Sequence, residues 1–140
     1  MCIRDRPWSE GSARGDYLIR IPADQRLRQD AAGHLVAGPH LGPVERMDNP
    51  ALIDTFHTAL TRPEVVFGEE GEPGDVAIRL GDGPSPPDGA TFVTWTEADD
   101  SPFYCVEPWM GPANAPEHKM GLHLVPPGET QTFTVSVAVR

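Results

Sequence analysis

Thr132-Phe133-Thr134-Val135-Ser136-Val137-Ala138-Val139 is the stretch on which the fold class turns. Phe133, Val135, Val137 and Val139 fall on one side of an extended chain, and Thr132, Thr134, Ser136 and Ala138 on the other. A strict period of two predicts a half-buried strand of the kind found in antiparallel sheets. Working upstream, the same signal recurs in shorter pieces. Residues 17–22 read as a strand rich in β-branched and aromatic side chains and closed by Pro22. Residues 64–67, 76–80 and 90–96 read as strands separated by two turn-forming runs, 68–74 and 81–89, each too short to be a domain boundary. Further strands are expected at 103–106, where Pro108 follows and should end the run, and at 121–125. Glycines 33, 38 and 42 with Pro39 and Pro43 break up residues 24–45, which read as a hairpin or a winding surface loop. Asn49 followed by Pro50 has the cap-and-first-position chemistry of a single helical turn. No internal repeat and no sustained period of 3.6 occurs, so the expected class is all-β.

Composition narrows what such a protein can do. The chain has 140 residues and a formal net charge of −10, with a pI near 4.7. Nucleic acid and anionic membrane surfaces are disfavoured as partners, because phosphate binding needs a basic stripe. No apolar run approaches the ~20 residues that span a bilayer. Cys2 and Cys105 are the only cysteines, too few for a disulfide framework and suited to a reducing compartment, so a cytoplasmic location is expected. With 16 prolines and 14 glycines, turns must take up much of the chain and leave a small core. Met1-Cys2-Ile3-Arg4-Asp5-Arg6 resembles a translated sequencing adapter and reads as a non-native leader, with residues 7–140 forming part of one domain.

Few residues carry a chemical signal. Of the five histidines, 34, 40, 57, 118 and 123, no two are separated by a single residue, the spacing that aims alternate strand positions at one ion. They read as scattered surface or supporting positions, and no metal site is expected. Cys105 lies in an apolar run with no cationic neighbour and reads as a buried structural thiol. The run Cys105-Val106-Glu107-Pro108-Trp109 is different. A carboxylate at the end of an apolar strand is costly to bury unpaired. A partly desolvated carboxylate beside an aromatic ring is suited to general-base work, and a tryptophan face can stack on a sugar ring. The same residues also admit a plainer reading, with Glu107 in an ion pair and Trp109 plugging the core.

At these residues the chain resembles the aldose 1-epimerase, or galactose mutarotase, family. The resemblance rests on residues 103–115, Phe-Tyr-Cys-Val-Glu-Pro-Trp-Met-Gly-Pro-Ala-Asn-Ala, and on Gly121-Leu122 with Leu124-Val125-Pro126-Pro127-Gly128-Glu129 leading into the last alternating strand. Residues 17–23 are similar to the family's strand ending in Ile-Pro-Ala, and Leu52-Ile53-Asp54-Thr55-Phe56 to its sugar-contact segment. The resemblance implies a galactose mutarotase-like antiparallel β-sandwich, a small-molecule aldohexose as substrate, and no cofactor. In the reaction it implies, a carboxylate takes the proton of the anomeric hydroxyl while an imidazolium protonates the ring oxygen. The ring then opens, rotates about C1–C2 and recloses as the other anomer. Carried over by position, Glu107 is the general base, Asp54 accepts a sugar hydroxyl, and Trp109 and Asn114 line the pocket. The family's general-acid histidine, in a Thr-Asn-His-x-aromatic-Phe segment, has no counterpart here, and its sugar-binding arginine cannot be placed. The resemblance thus implies the C-terminal half of a longer protein, inactive alone and with exposed sheet edges. A non-catalytic carbohydrate-binding sandwich is the alternative reading, and a purely structural sandwich a third.

Overall fold

The computed structural model describes residues 11–140 and the backbone of Cys2–Ile3; the remainder of the leader read at residues 1–6 lies outside the described residues. Short extended runs between turn residues cannot satisfy their own backbone groups, so they pair with one another. The strands are β1 Cys2–Ile3, β2 Tyr17–Arg20, β3 Ala23–Gln29, β4 Leu35–Ala37, β5 Val44–Arg46, β6 Thr55–Leu60, β7 Glu64–Glu69, β8 Val76–Leu80, β9 Ala90–Trp95, β10 Tyr104–Met110 and β11 Val135–Val139. A six-stranded sheet runs in the order β1-β10-β9-β6-β3-β4, and a five-stranded sheet in the order β11-β8-β7-β2-β5. Each pairing is antiparallel. The two sheets form an open β-sandwich. Among the described residues no helix is long and apolar enough to cross a membrane.

Between the sheets lies a core of Ile19, Leu52, Val65, Ile78, Leu80, Phe92 and Val106, all essentially inaccessible. Alternation sets which side chains reach it. In β9, Ala90 and Phe92 point inward, while Val93 joins Leu27 and Phe56 in a smaller cluster on the outer face of the six-stranded sheet. That second cluster is roofed by Ala113 and Met120 of the segment after β10, which carries the one-turn helix α1, Ala115–His118.

The roof is held by glycines. Gly111, Gly121 and Gly89 all have positive φ, at 85°, 62° and 73°, and the Gly111 N–H donates to Gly89 O at 2.7 Å. A Cβ on Gly121 would lie 2.4 Å from Gly111 Cα, so the crossing admits only hydrogen at these positions.

Several boundaries differ from the sequence reading. Residues 24–45 hold the hairpin that the reading allowed, β3 with β4, and a further strand, β5, which pairs with β2. Their period was hidden because the inward positions of β3 carry Arg26 and Arg28, whose guanidinium groups donate to main-chain carbonyls where the pattern expects apolar packing. Pro108 does not end its strand: β10 continues to Met110, with Pro108 opposite Phe92. β1 lies against Tyr104 and Cys105 alone, so among the described residues β10 is paired on one side at Pro108, where a missing N–H costs no ladder bond. No strand forms at 121–125; this stretch is loop, with Leu124 and Val125 exposed. Gly121, Pro126 and Pro127 bound it too closely for a ladder.

β11 forms over residues 135–139, the later part of the run 132–139 that alternation marked, but it is not half-buried. Val135, Val137 and Val139 pair with Leu80, Ile78 and Val76 and so face the sandwich interior, yet they are 47%, 46% and 70% exposed. β11 is the edge of its sheet, and β10 packs across β8, so the valine row overhangs the core.

Candidate functional site

Alternation along β10, β9, β6 and β3 sorts the outer face of the six-stranded sheet into rows. Glu107 stands opposite Val93, Val93 opposite Phe56, and Phe56 opposite Leu27. Trp109 stands opposite Thr91, one row to one side, and Trp95 opposite Cys105, one row to the other. The next position beyond the start of β6, on the row of Trp95, is Asp54, and the end of β3 adds Gln29. These rows floor a cleft of about 730 Å³. Its lining includes Asp54, Phe56, Val93, Trp95, Glu107 and Trp109, together with Arg28, Gln29, Pro50 and Ile53.

Glu107 is half-buried and lies within the strand, not at the junction expected from Pro108. Its Oε2 accepts a hydrogen bond from the indole N–H of Trp109 at 2.9 Å. The Trp109 ring meets Phe56 edge to face, with centroids 5.9 Å apart, and remains 37% exposed. Phe56 thus sets the tilt of the indole, and the indole in turn orients the carboxylate. Both acts cost little freedom, because the residues sit on rigid paired strands.

Asp54 reaches the cleft by a different device. Pro50–Leu52 makes one 3₁₀ turn, and Asn49 caps it by accepting the Ala51 N–H at 3.0 Å, as the Asn-Pro pattern predicts. Asp54 then takes φ 53°, a left-handed conformation for which aspartate is better suited than a branched residue. Arg28 clamps this turn from the neighbouring strand. Its Nη2 donates to the carbonyls of Ala51 at 2.9 Å and Ile53 at 3.0 Å, and its Nε to Thr55 Oγ1 at 3.2 Å. The carbonyl and hydroxyl it holds lie on either side of Asp54, so Arg28 fixes the backbone that carries the exposed carboxylate.

Of the four residues singled out by sequence, Glu107, Trp109 and Asp54 meet in one cleft and Asn114 does not line it. Asn114 also has a left-handed backbone, φ 61°, and its Nδ2 donates to Gly33 O at 2.7 Å. It ties the roof segment to the β3–β4 turn. Trp95, Arg28 and Gln29 were missed. Trp95 could have been found, since it shares the period of Val93 two residues earlier. Arg28 carries no such signal, because its partners are carbonyls from a distant turn.

The histidines stand apart from the cleft. His57 faces the sandwich interior with no accessible surface, and its Nε2 lies 2.8 Å from Thr94 Oγ1. Burial, with the nearby Arg26 charge adding to it, pushes the imidazole down to about 3. It is therefore neutral at ordinary pH. His118 accepts the Met120 N–H at Nδ1, 3.1 Å, which leaves Nε2 as the donor to Ala113 O at 2.8 Å. It braces the roof. No group of three or more metal-ligating side chains gathers among the described residues. Cys105 is fully buried in β10.

The arrangement offers two carboxylates, an amide and two indoles on one concave surface. Carboxylates accept hydrogen bonds from hydroxyls, and indole faces cover C–H surfaces. Comparisons with family models, with curated proteins and with solved structures give no match for this chain.

Proposed function

We propose that the cleft binds the pyranose ring of an aldose and that Glu107 is the general base of an aldose 1-epimerase-type interconversion of anomers. The observation that carries this reading is the pairing of Glu107 Oε2 with the Trp109 indole at 2.9 Å, in a cleft that Asp54 also enters. A sugar stacked on Trp109 presents its anomeric hydroxyl to the adjacent carboxylate. Glu107 takes that proton, the C1–O5 bond breaks as O5 gains a proton, and the open aldehyde rotates about C1–C2 before reclosing. Asp54, on the turn that Arg28 holds, accepts a hydroxyl elsewhere on the ring and resists sliding of the substrate. Among the described residues no histidine lines the cleft, so in this reading the proton for O5 comes from solvent or a diffusible acid.

That feature also favours a second reading, a carbohydrate-binding module with no turnover. The two separate in a rescue experiment. Polarimetry of freshly dissolved α-glucose and α-galactose in imidazole buffer supplies an external proton donor. Removal of one partner of an acid–base pair costs ~10²–10⁴-fold, part of which a diffusible acid restores. The epimerase reading expects the chain to accelerate equilibration above the buffer rate and Glu107→Gln to abolish the excess. Sugar binding with equal rates for both proteins would leave the binding module.

A further inference from the structure

The cleft holds a second aromatic surface that one sugar ring does not use. Trp109 stands opposite Thr91 and Trp95 opposite Cys105, so four strand residues separate their rows. At ~3.3 Å per residue that is about 13 Å along the sheet. Trp109 leans one row into this gap and Trp95 leans out of it. Trp109 turns towards Phe56 and Glu107, whereas Trp95 packs against Phe103 with centroids 5.7 Å apart at 39°. A single pyranose cannot stack on both indoles.

Each indole has its own polar neighbours. Glu107 is bonded to Trp109, and the row of Trp95 leads to Asp54 and Gln29 at the ends of β6 and β3. Val93, buried and apolar, lies between the two positions. An indole beside hydrogen-bonding side chains, an apolar saddle, and a second such indole make a surface with a repeat. The cleft volume of about 730 Å³ accommodates more than one ring.

Building on the pyranose-binding reading, we propose that the cleft carries two sugar subsites and takes a disaccharide unit with a free reducing end. The reducing ring lies on Trp109 with its anomeric hydroxyl at Glu107. The second ring, joined through the oxygen remote from the anomeric carbon, lies on Trp95 beside Asp54 and Gln29. Trp95 thereby sets the preference for chain length, and the anomeric chemistry stays at Glu107.

Calorimetric titration of the whole chain with glucose, galactose, maltose, cellobiose and lactose tests this. Trp95→Leu and Trp109→Leu keep an apolar side chain on each strand, and a thermal melt checks that both fold. Covering a second ring face should tighten binding of the preferred disaccharide about tenfold over its monosaccharide, which is ~1.4 kcal/mol. Trp95→Leu should erase that advantage without changing monosaccharide affinity, while Trp109→Leu weakens both. Equal affinity for one ring and two, or equal weakening of both by Trp95→Leu, overturns the second subsite and leaves the pyranose reading standing. No binding of any of these sugars overturns both.

Discussion

Acid should unfold this protein through His57 before its carboxylates are neutralised. The imidazole sits between the sheets on β6, opposite Arg26 of β3, and bonded to Thr94 of β9. Glu45 also lies near Arg26, and its carboxylate accepts the Gly42 N–H and a bond from Asn49. Protonating His57 would bury a second cation beside Arg26. Burial first and this repulsion second hold the folded imidazole at about 3, against 6.5 for the ordinary group. The unfolded chain therefore binds a proton in this window that the native chain does not, and stability falls as pH falls from 6.5 towards 3. The slope is about 1.4 kcal/mol per pH unit once below the unfolded value, or about 2 kcal/mol lost by pH 5. Urea unfolding followed by tryptophan fluorescence at pH 7.5, 6.5, 5.5 and 5.0 measures it. His57→Leu removes the titrating group, so the variant should start less stable yet lose about 2 kcal/mol less over the same range. Wild-type stability that stays flat between pH 6.5 and 5, or a slope unchanged in His57→Leu, would refute this account of the interior.

Three further outcomes follow from packing and the cleft. Arg28→Met strands the carbonyls of Ala51 and Ile53 and should cost about 2–3 kcal/mol in urea unfolding, with loss of sugar affinity greater than in Arg28→Lys. Gly121→Ala forces a Cβ to within 2.4 Å of Gly111 Cα and should detach the roof, seen as faster amide exchange at Ala113 and Met120 with β7 and β8 unchanged. Ile78→Ala in the core should cost about 2–5 kcal/mol, while Val137→Ala, directly opposite on the overhanging edge, should cost under ~1 kcal/mol. Equal costs for the last pair would mean that the β11 valines are covered in solution.

Legibility in the sequence followed the distance over which each signal acts. β8, β9 and the Asn49 cap were readable because alternation and capping are local, and their limits were right to within a residue. β3 was readable only as one arm of a possible hairpin, since Arg26 and Arg28 occupy positions where the pattern expects apolar residues, and Arg28 finds its carbonyls in the turn after Asn49. Pro108 misled for a related reason: a proline forbids a ladder bond only when a neighbour is present to receive it. β11 shows the limit of periodicity, which tells which side chains share a face but not whether another layer extends over them. In the cleft, Glu107 and Trp109 were found from residue type and spacing, whereas Asp54 rested on the resemblance alone. Asn114 was drawn to the same place by the resemblance, while the fold uses it to tie the roof to Gly33.

The most direct test of the cleft as a sugar site reads the indole N–H of Trp109 itself. Nitrogen-15 correlation spectra resolve the tryptophan side-chain signals, and Trp109→Phe assigns the one bonded to Glu107. Adding glucose or galactose should shift that signal saturably, because a hydroxyl arriving at Glu107 competes for the oxygen the indole holds. An indole signal that stays in place through the same titration, while the spectrum remains that of a folded chain, would contradict the assignment of this cleft to a sugar.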